Sequence, residues 1–172
     1  EADGLLDSTM IVFTSDNGSN MGHHGIVGKG NGTYPMNMYE TSVKVPGIFA
    51  WPGHIPQGVV SQTMVSHYDF MPTLLEMCGV PYQPKKELPG RSFARVLTGE
   101  SDSFRDEVVV YDEYGPVRMI RTREWKLVHL YPFGPDELYD LVNDPGERDN
   151  RIDDPALQAL RQAMQARLTH WF

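Results

Sequence analysis

Cysteine, long apolar runs and basic clusters are all scarce in this sequence. Cys78 is the single cysteine in 172 residues, so no internal disulfide can form and the redox compartment stays open. It lies in the apolar, helix-like stretch LLEMCGV, where a buried structural thiol is expected rather than a nucleophile. No run approaches the roughly 18 apolar residues a membrane-spanning helix needs, so no membrane span is expected. The net charge is -8 with a pI near 5.1, and no Lys/Arg cluster alternates with aromatics. Nucleic acid is therefore not an expected partner, and an anionic substrate must be held by local positive charge. An initiator methionine, a charged leader and a cleavage site are also missing. Leu5 and Leu6 read as the last turn of a helix feeding a strand, so Glu1 is expected to be an interior position of a longer parent.

What is present has the balance of an ordinary globular protein, 40% hydrophobic and 22% charged, with a length sufficient for a real core. The apolar run TMIVFT (9–14) predicts a strand covered on both faces of a parallel sheet. Residues 18–42 follow as a long loop with glycines at 18, 22, 25, 28, 30 and 32. VPGIFAWPG (45–53) reads as a short strand closed by a Pro-Gly turn. A helix is predicted after it, with Asp69 as N-cap, Pro72 in the first turn, Leu74, Leu75 and Cys78 on the buried face, and Gly79 as the stop. The polar, Pro/Gly-rich stretch 82–106 divides two modules, 1–98 and 107–172. In the second, the short β-rich runs 107–113, 117–124 and 125–131, with 137–141 as one more strand, predict an antiparallel meander. Leu157, Leu160, Met164, Leu168 and Trp171 form one helical stripe behind an Asp154 N-cap and Pro155, and this helix should lie on the meander.

The residues able to do chemistry gather after the first strand, where open α/β sheets place their sites. Asp16 and Asn17 supply two hard oxygen ligands suited to Ca²⁺ or Mg²⁺. The alternative is that Asp-Asn-Gly is a hairpin turn, which needs a second strand directly after Gly18 that the sequence does not offer. Lys29 ends the glycine loop and can meet an anion as a point charge, or be simply a solvated lysine. A Walker A loop is excluded, because five residues separate Gly22 from Gly28 and Gly30 stands where Ser or Thr should be. His23 and His24 are adjacent, so in an extended loop they diverge and at most one faces a site. His24 is the better functional candidate, as a proton donor to a leaving group. The stretch 136–154 holds eight Asp/Glu without EF-hand spacing and reads as a solvated turn. Glu40, Lys44, Glu113 and Tyr114 could line a pocket, or the charged ones could form exposed ion pairs.

Four blocks in order, TSDNGSNMGHHGIVGKG, YETSVKVPGIFAWPG, DFMPTLLEMCGVP, and MIRTREWKLV with ELYDLVNDPGERDN, resemble the C-terminal part of the sulfatase family over nearly the whole chain. The resemblance implies an α/β fold: the C-terminal part of an alkaline-phosphatase-like α/β sandwich plus a small antiparallel sheet with a C-terminal helix. It implies that Asp16 and Asn17 are half of a divalent-metal site, with calcium favoured over magnesium, that Lys29 contacts sulfate, and, with less weight, that His24 is catalytic. The family nucleophile is a formylglycine made within C/S-x-P-x-R. That motif is absent here, since Cys78 is followed by GVPY, so the nucleophile and the first pair of metal-binding acids are expected in an N-terminal part outside this sequence. The implied partners are a small-molecule or glycan sulfate ester and the remainder of the catalytic domain. Two alternatives stand beside this: a phosphonate monoester or phosphodiester hydrolase on the same scaffold, and a non-catalytic anion- or glycan-binding module.

Overall fold

A computed structural model describes residues 3–83 and 88–172. The chain forms two compact units, Glu1–Phe13 with Gly47–Asp106, and Thr14–Pro46 with Glu107–Phe172. Among the described residues no helix is long and apolar enough to cross a membrane.

In the first unit, β1 (Ile11–Thr14) runs into the second unit at its last residue and is hydrogen-bonded to β4 (Gly47–Ala50) as a two-stranded sheet. Ile11, Phe13 and Ile48 remain more than half exposed, so the cover expected on both faces of β1 is not supplied by this chain. Helix α2 (Phe70–Met77) is entered through a 3-10 turn, His67–Asp69, and is followed by the short α3 (Ala94–Leu97). Asp69 is the N-cap of α2, as expected, but its side chain makes no capping bond to that helix, and Ser66 is the N-cap of the 3-10 turn before it. Asp69 sits at the third position of a capping box, its carboxylate accepting Ser66 N at 2.9 Å. It is fully buried, also accepts Arg91 N at 3.0 Å, and pairs with Arg105, whose guanidinium lies 4.9 Å from the Tyr68 and Phe104 ring centres. Gly79 ends α2 as expected, with φ +67° and Val80 N donating to Leu75 O at 2.8 Å. Cys78 is exposed, which corrects the expectation of a buried thiol.

The second unit contains the antiparallel meander: β5 (Glu107–Tyr111), β6 (Arg118–Thr122), β7 (Trp125–His129) and β8 (Glu137–Asp140), paired in that order. The register aligns Val109, Ile120, Leu127 and Leu138 in one cross-strand row. Because side chains alternate along a strand, this row shares one face, and α4 (Gln158–Trp171) covers it through Met164 and Leu168, both essentially fully buried. Asp154 caps the preceding turn by accepting Ala156 N at 2.9 Å, with Pro155 at the first position as expected. The opposite face carries Met119 and Val128 and is covered by Met38 and Val43. It also carries Arg121, Lys126, Glu137 and Tyr139, aligned by the same register. A sheet buried on both faces does not show the polar-out alternation of a half-exposed one, and here the second face is partly ionic.

Candidate functional site

The loop after β1 contains more order than its glycines suggest. Within it β2 (Asn20–Met21) pairs antiparallel with β3 (Val27–Gly28), a hairpin whose turn is residues 22–26 rather than Asp-Asn-Gly. A second strand does therefore follow Gly18, and it leaves Asp16 and Asn17 outside the turn. The short helix α1 (Glu40–Val43) closes the segment and serves as its anchor. Gly18 N donates to Ser42 O at 2.8 Å, and a Cβ on Gly18 would fall 2.1 Å from Thr41 O. Only glycine allows that approach.

Beside this contact lies a polar network. Asn20, fully buried, donates from Nδ2 to Ser42 Oγ at 2.6 Å and accepts from the Thr41 hydroxyl. Ser42 Oγ donates to Asn37 Oδ1 at 2.6 Å, while Thr33 Oγ1 accepts Asn37 N at 3.1 Å and lies 3.2 Å from Gly30 O. Each buried polar group so paired avoids the cost of burial without a partner. The network fixes both the start of the loop, near Asn17, and its far arm, near Lys29, to the same Thr41-Ser42 pair. Asn20, Asn37 and Ser42 carry this positioning and were not singled out in the sequence. The available signal was a set of short amides and hydroxyls in a loop too glycine-rich to order itself by apolar burial.

Asp16 is exposed. Its Oδ1 accepts Asn17 N at 2.8 Å, and Ser15 Oγ lies 3.3 Å from the same oxygen. Asn17 donates from Nδ2 to Gly18 O at 2.8 Å, which turns the amide so that its oxygen is the atom left for a ligand. Lys29 is exposed, extended at φ -83°, and makes no ion pair with a described residue. It follows Gly28, the register partner of Asn20, so its backbone sits at the end of the hairpin that leads back to Asn17. His23 and His24 occupy a tight 3-10 turn instead of an extended loop. His24 is exposed, takes a left-handed backbone at φ 54°, and stacks face to face on Tyr39 with ring centres 3.7 Å apart and planes 5° apart.

Beneath α1 lies a buried ionic cluster. Lys126 is wholly buried, and its Nζ donates to Glu147 Oε1 at 2.6 Å, to Met38 O at 2.9 Å, and meets Glu40 Oε1 at 2.7 Å. Arg121 Nε donates to the same Glu40 oxygen at 3.0 Å, and Glu147 Oε2 accepts Glu40 N at 2.7 Å. Two expectations are corrected by this. Glu40 is in an interior cluster rather than an exposed pair, and Glu147 is a buried member of a stretch read as a solvated turn. Lys44, Glu113 and Tyr114 are exposed and belong to no such cluster.

Burial alone would raise the Glu40 carboxyl, but the Lys126 ammonium and Arg121 guanidinium together hold it below the usual carboxylate range. Glu137 moves the other way, raised first by burial and further by the Glu147 charge, against a lowering hydrogen bond from Tyr139. Burial and the Glu137 charge also raise the Tyr39 hydroxyl, so the ring under His24 stays neutral across the ordinary pH range.

Residues 31–171 match the family described as N-sulphoglucosamine sulphohydrolase, C-terminal. The chain is 33% identical to human arylsulfatase A over 92% of its own length and 38% of that protein. Among solved structures it is similar to BT4656 in complex with its substrate D-glucosamine-2-N,6-O-disulfate, with TM-score 0.85 and 30% identity over 98% of this chain and 35% of that one. It is also similar to the phosphonate monoester hydrolase of Agrobacterium radiobacter, with TM-score 0.77 and 30% identity over 98% of this chain and 36% of that one. The chain spans about a third of the length of the curated relatives it matches.

Proposed function

Because this chain belongs to the N-sulphoglucosamine sulphohydrolase C-terminal family, we propose that it forms the C-terminal part of a sulfuric ester hydrolase and supplies that enzyme with half of a metal site and its sulfate-contacting lysine. In this reading residues 1–98 complete the catalytic α/β domain and 107–172 form the small subdomain. The observation that carries it is the shared anchor. Asp16-Asn17 and Lys29 come from opposite arms of one loop, and both arms are fastened to Thr41 and Ser42.

The donor set fits a hard divalent ion in part. One carboxylate and one amide oxygen stand side by side, which suits calcium better than magnesium, since calcium takes more ligands in looser geometry. Among the described residues no group of three or more His, Cys, Asp and Glu gathers, so the remaining ligands must come from the rest of the parent. When bound, the ion would supply positive charge against a sulfuryl oxygen. The chain's own part is then electrostatic and acidic. Lys29 places an ammonium, which pairs with no carboxylate among the described residues, against the sulfate oxygens, where preorganised charge is worth most. His24 gives a proton from its ring to the departing alcohol, its plane held by the Tyr39 stack. The nucleophile in this reading is a formylglycine outside these residues. The substrate is a sulfate ester of a small molecule or glycan, which the substrate complex of BT4656 supports.

The similarity to a phosphonate monoester hydrolase favours a second reading, because phosphonate and sulfate esters call for the same charges. Steady-state kcat/KM of the full-length parent on matched aryl sulfate and phosphonate monoesters separates them. Higher kcat/KM on the sulfate ester supports the sulfatase, and a preference for the phosphonate overturns it.

A further inference from the structure

The arm of the loop that follows Lys29 leads directly to an exposed aromatic ring. Lys29 O accepts Gly32 N at 2.8 Å, and two residues beyond Gly32 stands Tyr34, 83% exposed. Two residues of chain span at most about 7 Å, so the backbone of Tyr34 stays close to that of the lysine. The segment between them is tied down. Asn37 N meets Thr33 Oγ1 at 3.1 Å and Gly30 O at 3.4 Å, and Asn37 Oδ1 accepts Ser42 Oγ at 2.6 Å. The network that positions Lys29 therefore also fixes the root of Tyr34.

The ring itself is held by Phe133, in the turn between β7 and β8, with ring centres 4.9 Å apart and planes at 70°. That turn is closed by Phe133 N donating to Leu130 O at 2.6 Å and by Asp136 Oδ1 accepting Leu130 N at 3.1 Å. In an edge-to-face pair neither ring covers both faces of the other, so Tyr34 keeps a face open, in line with its exposure. Residues 30–37 and 130–136 contain no Lys or Arg, and their one acid, Asp136, is already bonded to Leu130 N and His129 Nδ1. The pair is a fixed, uncharged aromatic ledge on the lysine loop.

We propose that this ledge is a glycan subsite, in which Tyr34 stacks on the sugar ring next to the one that carries the sulfate and Phe133 is its positioning residue. This rests on the reading of Lys29 as the sulfate contact. An aromatic face is the negative side of a quadrupole and attracts the weakly positive C–H groups on the flat side of a pyranose, while the uncharged surroundings give no hold to a second oxyanion. Size agrees with this. Two aromatic side chains bury about 300–500 Å² together, below the roughly 800 Å² per partner of a stable protein interface but enough for one sugar ring. Without a cation in either segment, an anionic lipid surface or a nucleic-acid backbone has nothing to meet there.

The test uses the full-length protein with 4-nitrophenyl sulfate, a panel of sulfated hexosamines and hexuronates, and disaccharides that carry the same sulfated rings. For the monosaccharide turned over best, the matching disaccharide should have the higher kcat/KM. In Tyr34→Ala the disaccharide-to-monosaccharide ratio should fall about tenfold, as for loss of an aromatic stack. Tyr34→Phe should keep the ratio, and Phe133→Ala should lower it in part. A ratio unchanged in Tyr34→Ala overturns the subsite, as does a loss shared equally by all substrates, the mark of a ring that only packs against the rest of the parent. A shift in sedimentation without a shift in ratio overturns it too, and assigns the rings to an interface between copies of the chain. Turnover of 4-nitrophenyl sulfate with no sugar accepted has the same consequence for the subsite; all of these leave the sulfatase reading standing. Failure to turn over any sulfate ester overturns that reading, and the subsite with it.

Discussion

Replacing Lys126 by Met should destabilise the second unit severely, and the size of the loss follows from what the ammonium touches. Its three donors meet Glu147, Glu40 and the Met38 carbonyl at 2.6, 2.7 and 2.9 Å, and the side chain has no exposed surface. Methionine fills the volume but leaves Glu147 buried with Glu40 N as its remaining partner, while Glu40 keeps Arg121. Removing one partner of a buried pair costs about 3–5 kcal/mol, whereas an exposed pair is worth about 0–1 kcal/mol. The larger figure should apply, and it is a large fraction of a typical domain's total of about 5–15 kcal/mol. Urea unfolding at pH 7, followed by the fluorescence of Trp125 and Trp171 in the adjoining core, measures it. The double variant Lys126→Met/Glu147→Gln should be less destabilised than the single one, because the stranded charge is gone. The sign in acid is also set. Glu40 is held below its ordinary value of 4.5, so its stabilisation is complete above that pH and lost as pH falls through the lower folded value. A loss below about 1 kcal/mol in Lys126→Met would contradict this, since it would mean that the buried Glu147 and Glu40 carboxylates do not depend on the ammonium.

Further outcomes follow from the same packing. Gly18→Ala must push a methyl into Thr41 O, so it should cost about 1–3 kcal/mol and loosen amide-exchange protection at Asn20 and Ser42; protection at the wild-type level would count against the shared anchor. Met164→Ala, at a position with no exposed surface on the sheet-facing side of α4, should cost about 2–5 kcal/mol by the same urea assay. The 172 residues by themselves, given 4-nitrophenyl sulfate and calcium, should release no nitrophenol, because the chain carries two candidate metal ligands and no C/S-x-P-x-R nucleophile. Turnover that depends on Asp16 would contradict this.

The second unit was legible wherever burial has a period. The Leu157–Trp171 stripe and the four β-rich runs declare their partners by spacing alone, and α4 and the meander form within a few residues of the expected bounds. Lys126 was not legible. Its strand is buried on both faces, so a lysine between Trp125 and Leu127 carries no mark of which way it points, and its carboxylate partners are 86 residues upstream (126 − 40) and 21 downstream (147 − 126). Glu147 was hidden for a related reason. A surface turn with eight acids conceals the one whose left-handed backbone turns it inward. In the candidate site the ligand-type residues could be named from their chemistry, since Asp-Asn at a strand end and a lysine after glycines are unusual. The scaffold could not, because hydrogen-bond networks such as Asn20–Ser42–Asn37 have no periodicity to reveal them. Cys78 shows the reverse error, where a helix-like apolar context suggested burial for a side chain that is exposed in this chain.

Whether Asp16 and Asn17 hold a divalent ion for sulfate-ester hydrolysis, as proposed, is measured most directly by the calcium dependence of aryl sulfate turnover by the full-length protein, wild type against Asp16→Ala. Wild-type activity should be lost to a chelator and restored by calcium, and the kcat/KM of the variant should fall about 100-fold or more at the same calcium. Wild-type and variant curves that superimpose would contradict it.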